Sequence, residues 1–126
     1  FDHFIAETTI ADVIHMNTNK KLHSVQSVIE HRALTCHNDC VRHWNNDHGQ
    51  QTLETNPDSL RSAIQEYNTS MEKNEYLDVH SLQFTPASFT KIIHLLNKLK
   101  YIDLIVHQIY PTLRNSVEFY VILKKS

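Results

Sequence analysis

Between His31 and Gly49, HRALTCHNDCVRHWNNDHG, the chain places four of its ten histidines, both cysteines, its only tryptophan and its only glycine. Nearly every side chain here can donate, accept or ligate. Cys36, Cys40, His43 and His48 read C-x3-C-x2-H-x4-H, thiolates and imidazoles of the kind that hold tetrahedral zinc, with His31 and His37 as substitutes. The spacing departs from the commoner C-x2-C knuckle and has no second copy, so zinc is the secondary reading. A Cys36–Cys40 disulfide is disfavoured by the cramped spacer and by a reducing compartment.

The same residues suit proton transfer. Histidine is the usual base near neutral pH, and His37, His43, His48 and, further on, His80 are the catalytic candidates. Asp39, Asp47 or Asp78 could orient one of them or hold a divalent ion through oxygen. For any single histidine a structural role is the commoner outcome. Sugar recognition pairs an aromatic face with polar side chains that bond vicinal hydroxyls. Trp44 with Asn38, Asp39, Arg42, Asn45 and Asp47 supplies those types, although Trp44 could equally anchor the loop. A cysteine nucleophile beside His37 or His43 is weakly supported, because adjacent residues rarely face each other productively.

A segment this polar needs a core made elsewhere. With 126 residues the chain has room for one modest core. A net charge of −2 gives no basic footprint for nucleic acid. Lys91, Lys98, Lys100, Lys124 and Lys125 read as a solvated face. A single glycine rules out a GxGxxG or P-loop here, so most of the binding site for any nucleotide-like cofactor is expected outside this chain. Turns fall to the ten asparagines, which tolerate left-handed backbone. No apolar run reaches the ~20 residues of a membrane helix, and the start shows no signal-peptide pattern. The expectation is a cytoplasmic protein, and, since the chain begins at Phe1, a processed or excised piece of something longer.

The elements follow from spacing. Thr9 and Asp12 form a capping pattern before a stripe of Ile10, Val13 and Ile14, with a stop expected over residues 17–21. Ser24 caps a second helix through Leu34, and Asp39 a short turn over residues 40–44. Asn56-Pro57 starts a third long helix with Leu60, Ile64, Tyr67 and Met71. Residues 76–84 alternate and read as extended. Thr85-Pro86 opens a helix to about Lys100, carrying Phe89, Ile92, Ile93 and Leu96. Residues 102–110 and 117–124 form a β-hairpin. His94 and His107 lie within these elements and read as structural, while Phe89, Tyr110, Phe119 and Tyr120 read as core or sheet-face residues. The fold class is α+β, divided into a helical and loop portion, 1–75, and a strand, helix and hairpin portion, 76–126.

The stretch YLDVHSLQFTPASFTKIIHLLNKLKYIDLIV resembles the C-terminal segment of a class I S-adenosylmethionine-dependent methyltransferase-like family found with bacterial glycan and surface-polysaccharide genes, in which D-V-H, F-T-P-x-S-F, a helix and an I-D-L strand follow one another. FDHF…TTIADVI resembles the segment that leaves that family's fifth strand, and HNDCVRHWNNDHG its polar insertion. The resemblance implies the back end of a Rossmann-like sheet, with the last helix leading to a sixth strand and an antiparallel seventh. It implies a glycan or small-molecule hydroxyl acceptor held by the insertion, and His37, His43 and His48 near the chemistry. The cofactor half lies outside this chain, which would then carry no cofactor-binding residues and be inactive alone. Its partners would be that half, or a second copy pairing with the open sheet edge. The alternative is a small non-catalytic binding module, with or without zinc.

Overall fold

The computed structural model describes residues 2–19 and 23–126, and these fold as five helices and one two-stranded antiparallel sheet, a mixed α+β arrangement. The helices are α1 (Ile10–Asn19), α2 (Val25–Leu34), α3 (Cys40–Trp44), α4 (Pro57–Lys73) and α5 (Pro86–Lys98). The strands are β1 (Leu104–Tyr110) and β2 (Tyr120–Lys125). The stop expected after α1 falls partly on residues 20–22, outside the described residues.

Caps set the helix starts where the sequence places them. The Thr9 amide and hydroxyl both donate to the Asp12 carboxylate, at 2.8 and 2.7 Å. Ser24, Asp39 and Asn56 accept from the amides of Ser27, Arg42 and Ser59. Thr85 and Ser88 form a reciprocal capping box with Pro86 in the first turn. Asn46, Asn74, Lys100 and Asn115 all adopt positive φ, so asparagine does take most of the left-handed positions outside glycine.

Two apolar centres result. Helix α2 packs on α4, and Val28, Ala63 and Val79 form a buried cluster flanked by Ile29, Tyr67 and Leu77. Val28 is completely buried. Helix α5 packs on β1 and buries Ile92, Ile93 and Leu96, and α1 touches α5. Strands β1 and β2 pair from Leu104↔Lys125 to Tyr110↔Tyr120, with a register shift that makes His107 an extra residue on β1.

The structure differs from the sequence reading at residues 76–84. No strand is assigned there. The stretch is held by irregular contacts: the Thr8 amide donates to the Gln83 carbonyl (2.9 Å) and the Gln83 amide to the Thr8 hydroxyl (2.8 Å). Alternation alone cannot make a strand without a neighbouring ladder to join. Val79 and Leu77 pack with α2 and α4, so the boundary drawn at residue 75 cuts through a packing unit. The second strand starts at Tyr120, later than Val117.

Candidate functional site

The polar segment after α2 is fixed by side chain to backbone bonds. His37 sits between two of them: its Nε2 donates to the Asp47 carbonyl (3.0 Å) and its Nδ1 accepts from the Asp39 amide (3.3 Å). Arg42 Nε donates to Asp47 Oδ2 at 2.7 Å, which holds the Asp47 carboxyl below the usual carboxylate range. Trp44 Nε1 donates to the Ser116 carbonyl (2.8 Å) and ties α3 to the hairpin connection. Gly49 has φ +73°, and a Cβ there would meet His37 Cδ2 at 3.2 Å and Cys36 Cβ at 3.3 Å. The chain's single glycine thus stands where a left-handed turn and close packing both require one.

Three of the sequence candidates come together. The His37 and His43 rings stack at 4.4 Å, and His43 and His48 lie 5.4 Å apart. His3 stacks on His48 at 3.6 Å, nearly parallel. The hydrogen bonds fix tautomers. A carbonyl can only accept, so His43 Nε2 donates to the His37 carbonyl (2.8 Å). In the neutral ring His43 Nδ1 then holds the lone pair and accepts from His48 Nδ1, 3.2 Å away. That puts the His48 proton on Nδ1 and its acceptor lone pair on Nε2. Partial burial, then the neighbouring His3 and His43, lower the His48 pKa.

His80 belongs to a second group. Its Nδ1 donates to Asp2 Oδ2 at 2.8 Å, and its backbone amide donates to His31 Nδ1 at 3.1 Å. The Thr35 hydroxyl donates to Asp2 Oδ1 at 2.9 Å. The His31 and His80 rings meet edge to face at 4.8 Å. Burial, His80 and Arg32 lower the His31 pKa. Residues 2 and 3 are neighbours in sequence, so one short segment joins this group to the stack of imidazoles.

The four-residue zinc set is not gathered. Cys36 Sγ lies near the carbonyls of Leu34 and Gln50, and partial burial pushes its thiol pKa up, away from the thiolate that zinc or nucleophilic chemistry needs. Among the described residues, the group whose ligand atoms all lie within 4.8 Å of one another is Asp2, His31 and His80. Of the substrate-binding candidates, Asp39 and Asp47 spend their carboxylates on Arg42 and the local backbone. Asn38 is exposed, and Trp44 is about two-fifths exposed beside them.

Sequence reasoning missed Asp2 and His3. They stand 29 and 45 positions from His31 and His48, and no local spacing rule spans such gaps. The one cue was the adjacent Asp-His pair in FDHF. No helix is long and apolar enough to cross a membrane among the described residues. Comparison with protein-family models, curated proteins and solved structures returns no match to the chain.

Proposed function

We propose that the chain is the acceptor-side C-terminal portion of a methyltransferase-like protein, acting on a glycan or small-molecule hydroxyl, with His48 as the base. The observation that carries this is the tautomer relay from the His37 carbonyl through His43 to His48. It leaves a neutral ring with a lone pair on Nε2, which is what removal of a hydroxyl proton requires. No partner for that nitrogen occurs among the described residues. Trp44 and Asn38, exposed on the same segment, supply an aromatic face and an amide for a sugar.

The order of α5, β1 and antiparallel β2 fits the last elements of a Rossmann-like methyltransferase sheet, as the resemblance implies. A two-stranded sheet has open edges, and the remaining strands of such a sheet would join there. On this reading S-adenosylmethionine is bound by a separate glycine-rich half, and the complete protein works in the cytoplasm.

Two measurements test the reading. Titration of S-adenosylmethionine into this chain is expected to give no heat of binding; micromolar affinity would overturn the separate cofactor half. With that half present, His48→Gln is expected to lower methyl transfer about 10²–10⁴-fold at unchanged cofactor affinity. Turnover close to that of the parent protein would remove His48 as the base.

A further inference from the structure

Two imidazoles and one carboxylate converge from three distant parts of the chain at Asp2, His31 and His80, and we infer that they form a binding site for a divalent transition-metal ion of the zinc type. The inference stands whether or not the chain serves a methyltransferase. One ligand atom from each residue lies within 4.8 Å of the other two, close enough for small side-chain rotations to bring all three onto one ion at about 2.0–2.2 Å.

The donor set selects the ion. Two imidazole nitrogens favour zinc, cobalt, nickel or iron over magnesium and calcium, which take oxygen. Three protein ligands leave a position open, as in zinc sites that bind an oxygen ligand or substrate.

The surroundings are those of a built site. Thr35 donates to Oδ1 of Asp2, the carboxylate oxygen not bonded to His80, and so sets the carboxylate's direction. His31 is carried by α2 and is half-buried. His80 follows Val79, which is buried in the main core. Asp2 is mostly buried, with its side chain 17% exposed, whereas His80 at 45% opens the site to solvent. The His80–Asp2 contact of 2.8 Å is bridged by a proton, and an ion would take the place of that proton.

The test is metal titration of the full chain without a histidine tag. Zn²⁺ is expected to bind at one equivalent, and Co²⁺ to give visible d–d bands with no thiolate charge-transfer band. Asp2→Asn and His80→Gln are each expected to weaken Zn²⁺ binding about tenfold or more. Cys36→Ser/Cys40→Ser is expected to leave it unchanged. Asp2→Asn preserves side-chain size, and circular dichroism checks that each variant folds. The proposal is overturned by the absence of saturable uptake up to about 100 μM Zn²⁺. It is equally overturned if the folded Asp2→Asn and His80→Gln variants keep parent affinity, or if the cysteine double variant abolishes binding.

Discussion

The C-terminal helix and hairpin and the segment between α2 and α4 are built in opposite ways. Helix α5 buries Ile92, Ile93 and Leu96 against β1, and its order comes from apolar contact and a backbone ladder. The segment of residues 35–55 has no buried hydrophobic residue at all. Its order comes from His37, His43, Arg42, Asp47 and Trp44, each spending a polar group on the backbone or on a neighbour. Irregular hydrogen bonding makes a surface of polar side chains held by one another and by the backbone.

The contrast can be broken first at the platform. Ile92→Ala is expected to cost about 2–5 kcal/mol in urea unfolding, since it empties space between α5 and β1. A cost below 1 kcal/mol would mean that α5 and the hairpin are only loosely packed. A smaller effect is expected at the link between the two regions. Trp44→Phe removes the indole donor to the Ser116 carbonyl and should cost about 0.5–1.5 kcal/mol. It should also shift the His48 ring resonances in NMR; unchanged resonances would show that the segment orders itself without the hairpin.

The smallest effect is electrostatic. Arg32 on α2 holds Glu66 on α4 through two bonds, 3.0 and 2.7 Å, and lowers the Glu66 pKa. Both side chains are about one-third exposed, so Glu66→Gln is expected to cost only about 0.5 kcal/mol near neutral pH. A depressed carboxyl pKa stabilises the fold fully above its unfolded value of about 4.3 and loses that contribution as pH falls through the folded value. The parent and Glu66→Gln should therefore converge in stability on acidification. A difference that persists below both values would assign the effect to packing.

The same contrast governs what could be read from the chain. The platform was legible because its signals are local: Thr85-Pro86 starts α5, period 3.6 gives its buried face, and two β-branched runs around a short connection give the hairpin. The candidate residues were legible as types, and three of the four catalytic candidates do meet. Their partners were not, because His3 reaches His48, and Asp2 reaches His80, only through the tertiary fold. Residues 76–84 misled for a related reason. Their alternation records one side packing on α2 and α4, which an unpaired irregular segment satisfies as well as a strand does.

The bond from Trp44 to Ser116 has an optical consequence. The chain contains a single tryptophan, so all indole emission comes from one ring, and that ring sits where the histidine-bearing segment meets the hairpin connection. Undocking the segment would free the indole N–H from the Ser116 carbonyl and expose the half-covered ring further, shifting its fluorescence. The protein therefore carries its own probe of whether the two regions are joined, readable in any titration of metal, acceptor or acid without a label.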